Sequence, residues 1–197
     1  MSKYRIFVIL SVVFLSAVLI FSALYIWGGH NNAAKTNTGY LDQSSLAAIN
    51  VSSPGVFVSS SNSTIYVNNS ANLPIMTGPM NAPSMYSFEI LGIINPEIII
   101  REGSNVHFTA INVDTDSYHN FVIGNSGPPF GYMGGNGMMG NGGNDLMGTM
   151  QYLPPTSNGH YAYANLTYSF SSPGTYWYLC TYPGHAENGM YGKIVVT

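Results

Sequence analysis

The chain has 197 residues, enough for one domain of ordinary size plus attachments, and 46% of them are hydrophobic, enough for a core. Charged residues make up only 7%, against roughly 25% in average proteins, and with five Lys and Arg in all there is no basic patch, which excludes nucleic acid as a partner. One cysteine excludes an internal disulfide and leaves Cys180 as a buried thiol, a reactive thiol or a metal ligand.

Lys3 and Arg5 precede an apolar run from Ile6 to Trp27. As a helix, this run would be about 33 Å long, enough to cross a bilayer core. The positive charges before it favour keeping the N-terminus inside. The pattern predicts a cytoplasmic N-terminus at 1–5 and a single transmembrane helix at 6–27. The rest of the chain then lies on the extracytoplasmic side of the cell membrane. A cleaved signal peptide is the alternative, but the run is long for one and no clear small-x-small cleavage site follows.

Residues 28–55 are mostly small and polar and read as a tether, with a short helix at Leu41 to Ile49. From 56 to 197 the pattern is that of strands. Thr64–Val67, Met85–Leu91, Glu97–Arg101, Asn105–Val113, Asn120–Ile123, Tyr161–Phe170, Thr175–Leu179 and Lys193–Val196 are the candidates. In the fourth, Val106, Phe108 and Ala110 alternate with His107, Thr109 and Ile111. Short strands punctuated by Gly, Pro and Asn, without a helical period, predict an all-β sandwich or barrel. Residues 124–159 depart from this pattern. They are dense in Gly, Asn, Pro and Met, and a loop this long is functional or disordered.

Two features fit an exported domain. Asn50, Asn62, Asn68 and Asn165 each open an N-x-Ser/Thr sequon, a candidate glycosylation site. The scarcity of carboxylates leaves little to be lost when acid protonates them, which predicts function in an acidic exterior.

The chemistry gathers near the C-terminus, in WYLCTYPGHAENGM, Trp177 to Met190. Cys180, His185 and Met190 lie on one stretch that Pro183-Gly184 can turn around an ion. Thiolate, imidazole and thioether donors suit copper, and His₂Cys with a weak axial Met is an electron-transfer arrangement. A second histidine must come from elsewhere. His30 adjoins the predicted membrane span, His107 sits inside a strand, and His160 lies beside the long loop. His119 lies where one strand ends and the next begins, a rigid place to present an imidazole. A lone buried cysteine, a cysteine hydrolase and a structural zinc site were the alternatives. The Met-closed loop argues against the last two.

The same residues carry a resemblance. Gly174-Thr-Tyr-Trp-Tyr-Leu-Cys180, Pro183-Gly-His-Ala186, Gly189-Met190 and Gly192-Lys-Ile-Val-Val196 resemble the copper loop of blue copper proteins, the cupredoxins. The equal Cys-to-His and His-to-Met spacings are closer to the rusticyanin and sulfocyanin branch than to plastocyanin. Ser117-Tyr-His-Asn-Phe121 resembles the first-histidine motif, and Asn95 to Ser104 the strand and turn before it. Gly127-Pro-Pro-Phe130 with Met133 is similar to a rusticyanin segment. The resemblance implies a Greek-key β-sandwich and one type 1 copper held by His119, Cys180, His185 and Met190. It implies that Asn120, behind the metal ligands, braces the cysteine loop with its side chain. It also implies a carrier, and no enzyme, that moves single electrons between respiratory redox proteins such as cytochromes or a terminal oxidase. Electrons would pass through the edge of His185. The competing expectation is an exported copper-binding or delivery protein using the Met-rich loop.

Overall fold

Strand β11 (Tyr161–Phe170) shows how the chain folds. Ala162, Ala164, Leu166, Tyr168 and Phe170 are buried, while the residues between them are half-buried or exposed. That is the period of two of a strand with one face on a core. Strand β8 (Ser104–Asn112) pairs with it antiparallel and repeats the pattern with Val106, Phe108 and Ala110 inward. His107 faces outward, and its Nδ1 lies 2.8 Å from the Thr167 hydroxyl across the pair.

The structure is a computed structural model that describes residues 37–49, 53–130 and 146–197. These lie within one unit, Ala34–Thr197. Two sheets face each other. The first contains β1 (Asn37–Leu41), β4 (Ala71–Thr77), β5 (Phe88–Ile90), β6 (Ile93–Ile94), β8 and β11, in the order β1-β11-β8-β4-β5-β6. The second contains β2 (Val56–Ser59), β3 (Thr64–Val67), β7 (Glu97–Ile100), β9 (Val122–Gly124), β10 (Leu146–Thr149), β12 (Gly174–Leu179) and β13 (Tyr191–Val196). Its order is β10-β9-β12-β13-β7-β3-β2. Most neighbours are antiparallel, but β13 and β3 both run parallel to β7, and β4 runs parallel to β8. The expected all-β sandwich is therefore present.

The inner faces make one core. Leu73, Ile75, Phe108 and Phe170 from the first sheet meet Ile65, Ile98, Tyr178 and Ile194 from the second. Each such side chain is worth about 1.5–3 kcal/mol when fully buried. Phe88, Phe121 and Tyr178 form an aromatic triangle, with Phe121 stacked on Tyr178 at 5.5 Å and Phe88 edge-on to both. The Tyr178 hydroxyl donates to the Pro96 carbonyl at 2.7 Å, which meets the need of a buried polar tip. It lies directly over Gly192, where an added Cβ would sit 2.1 Å from the hydroxyl oxygen.

Two expectations are corrected, and one strand was not anticipated. Asn37–Leu41 lies in the predicted tether, yet it pairs with Tyr161–Asn165 as an edge strand. Beyond it, the Asp42 carboxylate caps the helix Gln43–Ala47 by accepting from Ser45 N. Leu146–Thr149 lies in the predicted loop, yet it forms β10 against β9, with Met150 buried behind it. Ala71–Thr77 is not among the candidate strands, yet it forms β4 despite Pro74. β5 pairs only from Ile75 onward, so Pro74 lacks its N–H where β4 has a free edge.

Among the described residues, no helix is long and apolar enough to cross a membrane. The predicted anchor at 6–27, His30, Asn50, Met133 and Met138-Met139 lie outside the described residues.

Candidate metal centre

The donors converge at the ends of β9 and β12, which pair antiparallel with Leu179 opposite Val122. Cys180 directly follows β12. His119 is fixed just before β9 by two backbone bonds with Leu153, His119 N to Leu153 O at 3.2 Å and Leu153 N to His119 O at 2.7 Å. The Cys180–Met190 loop closes on itself. Cys180 N donates to Met190 O at 3.1 Å, and Met190 N to His185 O at 2.9 Å. Gly184 and Gly189 take positive φ angles of 83° and 104°, a backbone that glycine adopts without steric cost.

The result is three donor atoms facing one point. His119 Nδ1 and His185 Nδ1 are 3.1 Å apart, and Cys180 Sγ lies 4.0 Å from the first and 3.5 Å from the second. His119 and Cys180 are fully buried, and His185 is 4% exposed. His119 Nε2 lies 3.0 Å from Asp114 Oδ2 and donates to it, so Nδ1 carries the lone pair. His185 Nε2 lies 3.3 Å from the Ser117 hydroxyl. Met190 is fully buried and belongs to the same hydrophobic core as Cys180. Tyr182 and Tyr86 flank His185 at 4.8 Å and 5.2 Å between ring centroids.

Asn120 ties the two sides together. Its side-chain oxygen accepts from Thr181 N at 2.8 Å, its amide donates to the Thr181 hydroxyl at 2.8 Å, and its own N–H points at Cys180 Sγ at 3.5 Å.

The protonation equilibria follow from burial. Burial pushes the Cys180 thiol up to about 12, against the N–H groups of Asn120 and Tyr182 that point at it. Burial and the neighbouring His119 push His185 down to about 4. Burial also lowers His119, although Asp114 pulls the other way. Burial alone would raise Asp114, but N–H groups of Asp116, His119 and Ser117 hold it below the usual carboxylate range. The metal-free pocket therefore holds neutral imidazoles and a thiol. In the metal-free pocket the His119 Nδ1 lone pair accepts from His185 Nδ1 at 3.1 Å, and a cation that displaced that proton would meet two imidazole nitrogens and a sulfur. A thiolate-forming soft cation fits this set, and its binding would release the thiol proton.

The family model of copper binding proteins, the plastocyanin/azurin family, matches residues 91–197, more than half of the chain. The chain is a blue copper protein of that family. It is 35% identical over 142 residues to a rusticyanin of Acidithiobacillus ferrooxidans, covering 72% of this chain and 82% of that one. A rusticyanin of Acidithiobacillus ferridurans is 32% identical over 142 residues, covering 72% of this chain and 68% of that protein. The solved structure of rusticyanin from Thiobacillus ferrooxidans superposes with a TM-score of 0.70 at 27% identity, covering 83% of this chain and 99% of that one. A structure of reduced rusticyanin gives 0.69 at 27% identity, covering 82% and 100%. Copper is the cofactor, and this blue copper protein is an electron carrier.

Sequence reasoning named His119, Cys180, His185, Met190 and Asn120. It missed Asp114, Ser117 and Asn112 as support. Asn112 is buried; its side chain donates to the carbonyls of Ser117, Leu153 and Pro154 and accepts from Asp114 N. The only local signal was an Asp and an Asn shortly before the histidine. Of the sequons, Asn62 and Asn68 are exposed, whereas Asn165 lies half-buried in β11 with its side-chain oxygen bonded to the Thr109 hydroxyl at 2.8 Å.

Proposed function

We propose that His119, Cys180, His185 and Met190 would hold one copper ion, the two imidazoles and the thiolate as its main donors and the Met190 thioether as a weaker one. The protein is then a membrane-anchored carrier that passes single electrons between respiratory redox proteins in an acidic exterior. The observation that carries the reading is the convergence of His119 Nδ1, His185 Nδ1 and Cys180 Sγ, all within 4.8 Å of one another in a buried pocket. Bound copper supplies the one-electron chemistry, between Cu(II) and Cu(I).

The protein's own residues do the rest. Asn120 and the loop's internal hydrogen bonds hold the donors against rearrangement, so little moves when the charge changes. The aromatic and aliphatic core beneath Cys180 and Met190 excludes water. That favours the lower charge state and a high reduction potential. His185 is the donor ring nearest solvent, and its edge is the exit for the electron.

Support for the acidic setting comes from charge. Lys193 pairs with Glu97 at the surface, and Asp114 is hydrogen-bonded to the neutral His119. Few carboxylate contacts stand to be lost in acid. Support for the anchor is the apolar run at 6–27. Asn62 and Asn68 are the accessible glycosylation candidates. The delivery reading is weaker because Met150, a methionine of the Met-rich segment 124–159, is buried in the core.

Two experiments test this. The fragment from Gly28 to Thr197, loaded with Cu(II), should show an intense blue band at one copper per chain, lost in Cys180→Ser. Several bound Cu(I) without the band would move the reading to copper delivery. Full-length protein should sediment with membranes and require detergent for release, and deletion of 6–27 should make it extractable in buffer. Buffer-extractable full-length protein would remove the anchor.

A further inference from the structure

Asp114 lies outside the donor set but is built into its support. Its Oδ2 accepts from His119 Nε2 at 3.0 Å. Its Oδ1 accepts from Asp116 N at 2.8 Å and Ser117 N at 3.3 Å. Its backbone is held as well, with N donating to Asn112 Oδ1 at 3.0 Å and O accepting from Thr156 N at 2.7 Å. The side chain is 8% exposed. Both carboxylate oxygens face N–H donors, and the form that accepts at every position is the anion.

Gly78 closes the remaining side. It has a φ of 65°, and a Cβ there would meet His119 Nε2 at 2.7 Å and Asp114 Oδ2 at 2.8 Å. The backbone of the β4–β5 connection is thus pressed against the hydrogen bond and leaves no room for a side chain above it. An anion packed this closely against one imidazole, in a pocket shielded from water, acts through a low local dielectric.

We propose that Asp114 is the positioning and tuning residue of the metal centre. It holds His119 with the proton on Nε2 and the lone pair on Nδ1. Its negative charge, felt through the imidazole, favours Cu(II) over Cu(I) and sets the reduction potential lower than the apolar core alone would give. The opposition is specific to this side of the site, because among the described residues the equivalent nitrogen of His185 meets the Ser117 hydroxyl and no carboxylate. The inference rests on His119 as a copper ligand, and the blue band reports that assignment separately from the potential.

Asp114→Asn in the copper-loaded protein is the first test. The blue band at one copper per chain should persist. In a redox buffer poised at the parent's midpoint, the Cu(I):Cu(II) ratio should rise at least about tenfold, equivalent to about 59 mV for one electron. A retained band with an unchanged ratio overturns the proposal. Should the variant fail to fold or load, nitrogen-detected NMR of the parent Cu(I) protein decides. A slowly exchanging proton on His119 Nε2 supports the proposal. A proton on Nδ1, or Nε2–H exchange at the solvent rate, overturns it. A parent without the blue band would instead remove the copper-site assignment.

Discussion

Cys180, His185 and Met190 reach the copper site from one short loop, whereas His119 comes from the neighbouring strand connection and is held by residues as distant as Gly78 and Leu153. The loop side is stabilised mainly by its own backbone: Cys180 to Met190, Met190 to His185, and two glycines at the turns. The His119 side is stabilised by tertiary contacts to β4–β5, to the segment after β10 and to Asp114. The difference teaches that the same coordination sphere can combine a locally encoded half with a half that exists only after folding. Asn120, bonded to Thr181 from the His119 side, joins them.

The largest effect should come from the base of the loop. Gly192→Ala places a Cβ on the Tyr178 hydroxyl, 2.1 Å away in the buried aromatic triangle. Overpacking of this kind costs about 1–3 kcal/mol, occasionally more, so the urea midpoint of the apo protein should fall sharply. Adding Tyr178→Leu should restore part of it, because the colliding oxygen and the ring carbon Cζ, which the Cβ would meet at 2.2 Å, are both gone. No recovery in the double variant would mean that the strain lies in the backbone of β13.

Asn120→Ala comes next and cuts the link between the two sides. Losing the clamp on Thr181 should cost about 1–3 kcal/mol. The blue band should remain at room temperature but bleach at lower temperature than in the parent. Equal bleaching temperatures would show that the loop holds itself.

The pH profile separates metal-free from copper-loaded protein. His185 is pushed down to about 4 in the folded apo protein, and His119 is lowered as well. Below about 6.5, the ordinary histidine value, the unfolded chain takes up protons that the folded one refuses. Apo stability therefore falls as pH drops from about 6.5 towards 4. The Cys180 thiol, pushed up to about 12, works at the other end. Above about 8.5 the unfolded thiol ionises first, so apo stability falls as pH rises towards 12. Urea titrations across pH should give a dome for the apo protein and a flatter curve with copper, which replaces both protons. Parallel curves would contradict the burial of these three groups.

The smallest effect is remote from the site. Asp42, held down to about 2 by the Ser45 N–H and the Ser44 hydroxyl, caps the helix Gln43–Ala47. Its contribution is present above about pH 4 and lost as pH falls through about 2. Asp42→Ala should lower stability slightly at neutral pH, leave it unchanged near pH 1, and leave the blue band untouched throughout.

Much of this was legible beforehand. β11 matches its expected bounds because a strand with one buried face writes alternation into the sequence. The copper loop was legible for a similar reason: its donors are neighbours along the chain. What escaped reading has physical causes. β1 is an edge strand with little burial, so it carries no apolar alternation. β10 is short and lies in a segment whose composition reads as loop. Pro74 interrupts the pattern of β4. Asp114 leaves no motif, because its role depends on a turn that brings Asp116 N, Ser117 N and His119 to one carboxylate.

The parallel pairing of β13 with β7, and of β7 with β3, has a consequence for how the protein comes into being. Ile194 sits beside Ile98, and Ile98 beside Ile65. The strand that anchors the copper loop can therefore dock only on chain made much earlier, after a long stretch has been closed into a loop. Such closure must be completed before its contacts repay the lost entropy, and it is slow. β13 completes the sheet on which the donors rest and is made long after β3 and β7, so a chain that has emerged only as far as β12 has no finished site to offer a metal.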